Sequence, residues 1–204
     1  MRHYLTEDKI MKVYRLANIP TEYLAFELDV VTLSEQVGRS EIINKMMMPQ
    51  YSFRPLLPYW GTVSHHFSPK FSSALMKPDI CLWDSRLLLM NQDAYLGLRH
   101  YLARFGEFLP LRCDGGIYYV FNCLTVADED RALTKVRYFD GHEDGLDSLS
   151  FDQESLANKL LFRSQMQGGT SLFCTQAFVD LVREFQFVGL AFEEALVSEA
   201  CTSI

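Results

Sequence analysis

The stretch of sequence that decides the fold runs from residue 87 to residue 122 and reads LLLMNQDAYLGLRHYLARFGEFLPLRCDGGIYYVFN. Its first four residues are apolar, as in a buried strand. Asn91 after them is an expected N-cap, since its amide oxygen can accept from the free backbone N–H groups of a first helical turn. Gly106 is placed to end that helix, because glycine adopts the left-handed conformation at little cost. The residues Asp-Gly-Gly at 114–116 then predict a turn between two further strands.

The predicted helix in this stretch has one apolar face. Apolar side chains recur along it at the spacing of an α-helix, which is typical of a helix that packs on a core. We expect this stripe to be buried: Tyr95, Leu98, Leu102 and Phe105.

A similar unit follows 83 residues later. It has a predicted strand at 172–174, an expected cap at Thr175 and an expected stop at Gly189. Its matching stripe is Phe178, Leu181, Phe185 and Val188. Internal duplication would explain the match, and so would the generic nature of caps and stops in strand–helix–strand units. If the two units are equivalent, Leu181 and Phe185 are fully buried.

These patterns predict an α+β fold in which two similar strand–helix–strand modules pack on a mixed sheet. A length of 204 residues suits a single domain, with an irregular N-terminal part at 1–78 and a core at 79–198. The loop at 51–60 is rich in proline and aromatic residues, and we expect it to fold as a lid onto its own core.

Composition places the protein among soluble, reduced proteins. No apolar run reaches the ~18 residues that span a bilayer, and the N-terminus does not open a signal peptide, so we expect no membrane contact and a cytoplasmic location. Five cysteines at wide spacing, with no C-x-x-C pair, favour free structural thiols over disulfides or a zinc site.

Acidic residues are concentrated between 128 and 154. Nine acidic residues face three basic ones there, so this segment carries −6 of the net charge of −7. Such a field repels nucleic acid and attracts basic partners, although a solvated loop is the commoner explanation of an acidic run. The partner-binding residues that we predict are Asp128, Glu129, Asp130, Asp140, Glu143, Asp144 and Asp147.

The sequence shows no motif that points to catalysis. Asp140, His142 and Asp144 match part of a calcium loop, but Phe151 stands where the bidentate glutamate is required. We find no phosphate-binding loop, nucleophile elbow or dinucleotide fingerprint. We therefore predict no enzyme activity, no catalytic residues, no metal and no cofactor.

Several pieces of the chain resemble bacterial immunity proteins of polymorphic-toxin systems, in particular a group described as a domain of unknown function. Together the pieces cover most of residues 12–192. They are KVYRL at 12–16, FGEFLPL at 105–111, IYYVFN at 117–122, VADED at 126–130, SLFCTQAF at 171–178 and FVGLAF at 187–192.

This resemblance implies a cytoplasmic binder that neutralises a cognate toxin, often one delivered by a contact-dependent or type VI secretion apparatus. The family shares no catalytic residues, and a basic toxin would suit the acidic segment. The alternative is a ligand-sensing or enzymatic α+β domain with a pocket under the aromatic loop at 51–60. The sequence leaves the toxin's identity and the oligomeric state open.

Overall fold

The computed structural model describes residues 10–48 and 51–197, and it has an α+β fold. The helices are α1 (Val30–Val37), α2 (Glu41–Met47), α3 (Gln92–Leu102) and α4 (Gln176–Glu184), with a short 3-10 turn at Leu57–Tyr59. The strands are β1 (Val13–Asn18), β2 (Ala25–Phe26), β3 (Ser64–His65), β4 (Phe67–Ser68), β5 (Ile80–Trp83), β6 (Leu87–Asn91), β7 (Gly106–Cys113), β8 (Gly116–Cys123), β9 (Lys135–Phe139), β10 (His142–Ser148), β11 (Leu161–Phe162), β12 (Phe173–Thr175) and β13 (Leu190–Glu193).

The central stretch forms most of a five-stranded mixed sheet in the order β3-β7-β8-β6-β5. β3 runs parallel to β7, and the other neighbours are antiparallel. Asn91 caps α3 as predicted, because its Oδ1 accepts from the backbone N–H of Ala94 at 2.8 Å. Asp114 and Gly115 form the predicted turn between β7 and β8, with φ of 48° and 81°.

A second, four-stranded sheet has the order β11-β12-β1-β13, and its described pairs are antiparallel. Its strand β1 comes from the N-terminal part at 1–78. That part also contributes α1 and α2. The second sheet is therefore built from both ends of the described chain, which local sequence patterns do not reveal.

The two predicted modules share one topology. In the first, β6 and β7 flank β8, and α3 connects them. In the second, β12 and β13 flank β1, and α4 connects them. Each module is thus a strand–helix–strand unit whose two strands are separated in the sheet by an antiparallel strand. In the first module this strand is β8, which follows directly in the sequence. In the second it is β1, which lies near the start of the described chain.

The sheets meet where β5 lies beside β13. Asn18, the last residue of β1, also bonds to β5, and its side-chain amide acts as a backbone partner would. Its Nδ2 donates to the carbonyl of Leu82 at 2.9 Å, and its Oδ1 accepts from the N–H of Leu82 at 2.7 Å. Gly189 allows the close approach, since a Cβ built on it would lie 2.5 Å from the carbonyl oxygen of Ile80. The two sheets are therefore joined edge to edge.

The strands send alternate side chains to opposite faces of the sheets. Ile80, Leu82, Leu88 and Met90 join α3 and α4 in one core cluster on the first face. The intervening residues of β5 and β6 join α1, α2 and β7 in a second cluster on the other face. The other face of the four-stranded sheet is covered by the segment around Leu149, Phe151 and Leu156.

The predicted match between the helices is wrong by one residue. Leu181 is only half-buried, and Phe185 is 38% exposed because α4 has ended before it. The observed caps Asn91 and Thr175 are 84 residues apart, and counting from them pairs Leu98 with Val182, both of which are buried. The predicted shift of 83 residues aligned the apolar residues of the two helices, whereas the N-caps align with a shift of 84.

Gly106 does not end α3 as predicted. The helix is capped by Ala103 in a right-handed conformation, and Gly106 opens β7. A Cβ built on Gly106 would lie 2.1 Å from the backbone oxygen of Asn122 on β8. Glycine is required here because the paired strands approach too closely for any side chain.

Candidate functional site

Four of the predicted partner-binding residues lie on an exposed hairpin formed by β9 and β10. The two strands pair only with each other within the part of the chain that the structure describes. Asp140 and Gly141 form its two-residue turn with φ of 49° and 79°, which is the combination that a type I′ hairpin turn requires. The first strand is Lys135–Phe139 and the second is His142–Ser148.

The tip of this hairpin is both acidic and aromatic. Tyr138 and Phe139 are 63% and 75% exposed beside the turn. Asp140, Glu143, Asp144 and Asp147 are all exposed. Exposed aromatic rings such as these two, next to a hairpin turn, are typical of a surface that binds a partner, because Tyr and other aromatics are enriched at interfaces.

One ion pair crosses the hairpin. Arg137 Nε lies 3.3 Å from Asp144 Oδ2, and both side chains are substantially exposed, so the pair contributes little to stability. Gly145 has φ of 93°, and the ladder is irregular from Glu143 onward. We call the surface formed by Tyr138, Phe139, Asp140, Glu143, Asp144 and Asp147 the hairpin surface.

The base of the hairpin is fixed to the protein. Thr134 Oγ1 donates to the carbonyl of Ser150 and accepts from its N–H, at 3.2 and 3.1 Å. Leu149 and Phe151 then enter the core cluster under the four-stranded sheet. The base of the hairpin is therefore held by hydrogen bonds and by core contacts.

The other three predicted residues lie on the segment before the hairpin and have different surroundings. Glu129 accepts from the Ser164 hydroxyl at 2.6 Å and from the Met166 N–H at 3.0 Å, which ties it to the fold. Asp130 accepts from two backbone N–H groups of the turn that follows it. Asp128 is exposed. Glu129 and Asp130 thus have a structural role as hydrogen-bond acceptors, which the sequence did not indicate.

The partial calcium pattern does not form a calcium loop. Asp140, His142 and Asp144 lie on the turn and strand of the hairpin, and Phe151 is buried in the core. No group of three or more His, Cys, Asp or Glu residues among residues 10–48 and 51–197 is placed to hold a metal ion.

The described thiols are poor candidates for catalytic nucleophiles. Cys81, Cys113, Cys123 and Cys174 are buried and free, as the sequence predicted for structural thiols. Burial raises the pKa of Cys113 to about 12 and that of Cys123 to about 11, so neither thiol forms a thiolate near neutral pH. Burial, with the neighbouring His66, lowers the pKa of His65.

The aromatic loop packs onto the core. Trp60 Nε1 donates to the carbonyl of Pro110 at 2.8 Å, and the carboxylate of Glu107 accepts from the backbone N–H groups of Leu56 and Leu57. The Lys45 ammonium lies 3.9 Å from the ring centre of Tyr51. A cavity of only about 10 Å³ lies beneath the loop.

A buried polar network holds this loop from below. Asn122 Nδ2 donates to Glu107 at 2.8 Å and to the carbonyl of Arg54 at 3.2 Å, while its Oδ1 accepts from Arg163 at 3.0 Å. Arg163 is 1% exposed and also donates to the carbonyls of Ser52 and Arg86. Burial lowers the pKa of Arg163 to about 10, which leaves it charged at neutral pH.

A larger cleft of about 850 Å³ lies beside the loop. Its floor includes the buried residues Phe26, Trp83 and Met46, and its rim includes an ion pair between Lys70 and Glu27. The turn Asp84-Ser85 on this rim has two consecutive left-handed residues, with φ of 54° and 55°. The carbonyl of Ser85 accepts from the N–H of Leu172 at 3.2 Å, which gives the turn a structural role between the sheets.

Comparisons with known proteins give no family assignment. No family model matches the sequence, and no curated protein matches it. None of the helices in the described ranges is long and apolar enough to cross a bilayer.

Sequence reasoning missed Tyr138 and Phe139 as members of the site. The available signal was their position next to Asp-Gly, since two apolar residues before a tight turn in an acidic run have no core to enter. The predicted partner-binding residues were chosen by charge alone, so the two aromatic residues were not among them.

Proposed function

We propose that this protein binds and neutralises a basic protein toxin, and that the hairpin surface is its capture site. The observation that carries the proposal is the exposure of two large aromatic side chains among four carboxylates on one hairpin. Of these carboxylates, only Asp144 forms an ion pair within the described residues. The hairpin surface thus combines charge with apolar area that the fold does not use.

The charge suits fast association with a basic partner. Opposite charge on two partners can raise association rate constants well above ~10⁵–10⁶ M⁻¹s⁻¹, and salt screens this effect over about 8 Å at physiological ionic strength. The carboxylates of the hairpin are exposed, so a partner can meet them without any change in the fold. A partner that normally holds a phosphate backbone would present the required positive surface.

The aromatic residues suit retention of the partner. Burying a Tyr or Phe side chain against a partner removes a large apolar area from water, and such anchors dominate the binding energy of many interfaces. We expect Tyr138 and Phe139 to slow dissociation, whereas the carboxylates mainly speed association.

The packing of the aromatic loop favours this proposal over the alternative. A ligand-sensing or enzymatic domain with its pocket under residues 51–60 needs a cavity of ~300–1,000 Å³ there. The space beneath the loop is about 10 Å³, and the loop is held by Glu107 and by the buried network. The cleft of about 850 Å³ has none of residues 51–60 in its lining.

Co-expression tests the proposal directly. The chain is produced in a bacterial host together with the toxin encoded by the neighbouring reading frame, and survival is compared with that of cells expressing the toxin alone. We expect the wild-type chain to protect the cells. Death of cells that contain the folded wild-type chain would contradict immunity.

A hairpin variant tests the site separately. Glu143→Lys, Asp144→Lys and Asp147→Lys are combined with Asp140→Asn, because asparagine tolerates the positive φ at that position better than lysine does. The matched control makes the same change of charge at four exposed acidic residues elsewhere, with Glu22→Lys, Glu35→Lys, Glu184→Lys and Asp180→Asn. We expect only the hairpin variant to lose protection. Equal protection by both variants would retire the hairpin surface while leaving immunity intact.

A further inference from the structure

A pocket of about 140 Å³ lies where the two sheets meet. Two of its lining residues are Asn18 and Gly189, which make the contacts that join β1 to β5 and bring β13 close to β5. The pocket therefore belongs to the junction between the sheets. Its other lining residues are Ile19, Pro20, Tyr23, Leu24, Ala25, Lys70 and Cys81.

The two most polar side chains of this lining are bonded elsewhere. Both the oxygen and the nitrogen of the Asn18 amide bond the backbone of Leu82. The Lys70 ammonium is paired with the carboxylate of Glu27 at 2.5 Å, and both side chains are about half-exposed to solvent. Neither residue therefore leaves a buried polar group that a polar ligand is needed to satisfy.

The backbone of the loop between β1 and β2 is satisfied in the same way. The N–H of Tyr23 donates to the carbonyl of Ile19 at 3.0 Å, and the N–H of Leu24 donates to the carbonyl of Met76 at 2.8 Å. A buried water needs about 2–4 polar partners, and these groups already have theirs. The pocket is therefore better suited to apolar matter than to water. Four of its lining residues have apolar side chains: Ile19, Pro20, Leu24 and Ala25.

The volume of the pocket sets the size of the ligand. An apolar cavity of about 150 Å³ in a protein core holds benzene or xenon, so a pocket of about 140 Å³ suits a molecule of the same size and is too small for a nucleotide or a peptide. We propose that this pocket binds a small uncharged apolar molecule of the size of a benzene ring. The bound molecule lies between the loop after β1 and the junction of the sheets and stabilises both. This site is independent of the hairpin surface and of the proposed function.

Thermal unfolding with benzene as the probe tests the site. The full chain is melted with and without benzene at millimolar concentration. We expect benzene to raise the Tm by about 2–4 °C and the rise to saturate, because a ligand that binds only the native state stabilises it by mass action. Phenol has a similar size, but its hydroxyl group loses its bonds to water on entry, so we expect a smaller rise. A rise with phenol as large as that with benzene would contradict the apolar character of the site.

Two variants with the same change locate the effect. Ala25→Val adds two methyl groups to a buried lining residue and leaves less room for the ring. Ala74→Val makes the same change at a buried alanine that is not among the lining residues, and it is the control. We expect the rise with benzene to shrink at least twofold in Ala25→Val and to be unchanged in Ala74→Val.

Crystals of the wild-type chain under xenon pressure give a direct readout that does not depend on the folding of a variant. We expect an anomalous peak in the pocket, between Leu24, Cys81 and Gly189. Equal Tm values with and without benzene, or a xenon peak that lies only elsewhere, would overturn the proposal. An equal response of the two variants to benzene would also overturn it, since that result indicates a ligand bound outside the pocket.

Discussion

Replacing Asn122 by leucine should destabilise the protein strongly. Asn122 is 2% exposed and bonds Glu107, Arg163 and the carbonyl of Arg54. Leucine has a similar shape, so little cavity is created, but both charged partners lose a hydrogen bond. A buried bond to a charged group is worth about 1.5–3 kcal/mol, and breaking one side of a buried charged network costs about 3–5 kcal/mol. We expect the free energy of unfolding to fall by about 3–5 kcal/mol.

Urea denaturation followed by tryptophan fluorescence measures this loss. The control is Asn91→Leu, which removes the cap of α3 and its bond to Asp79 and should cost about 1–2 kcal/mol. Hydrogen exchange adds a local readout, because the amides of Leu56 and Leu57 donate to Glu107 and should exchange faster in Asn122→Leu. A loss below about 1 kcal/mol with unchanged exchange at both amides would refute the role of the network.

Two further predictions concern the core. Leu98→Ala should lower the free energy of unfolding by about 2–5 kcal/mol because Leu98 is fully buried. Leu181→Ala should lower it by about 1 kcal/mol because Leu181 is half-buried. Equal losses in urea denaturation would contradict the corrected match of the helices. Burial raises the pKa of Cys123 to about 11, so its contribution to stability is fully present below the unfolded thiol pKa near ~9 and is lost as pH rises toward 11. The free energy of unfolding should therefore fall by about 1.4 kcal/mol per pH unit for this thiol over that window, and Cys123→Ala should show a shallower fall; parallel curves would contradict it.

Local signals in the sequence predicted the central module well. The apolar run before Asn91, the cap itself and the Asp-Gly turn each depend on neighbouring residues, and the structure has all three. The position of β1 between β12 and β13 depends instead on pairing across most of the chain. No local pattern specifies such a pairing, so the strand order of this sheet could not be predicted from the sequence.

The candidate site was predicted only in part for the same physical reason. Charge can be counted from a sequence, so the acidic segment was found. The strand His142–Ser148 was missed because it is polar and contains Gly145, with little of the apolar alternation that marks a strand. The buried network could not be predicted, since Arg163 bonds Asn122 and Ser52 across separations of 41 and 111 residues.

The salt dependence of toxin association tests the central proposal most directly. The association rate constant of the wild-type chain with the proposed toxin is measured by stopped flow over a range of ionic strength, alongside the hairpin variant and the charge-matched control. We predict that the wild type associates fast at low salt and slows steeply as salt rises, that the control keeps most of this dependence, and that the hairpin variant loses it. Three parallel lines in a plot of the logarithm of the rate constant against ionic strength would contradict capture by the hairpin surface.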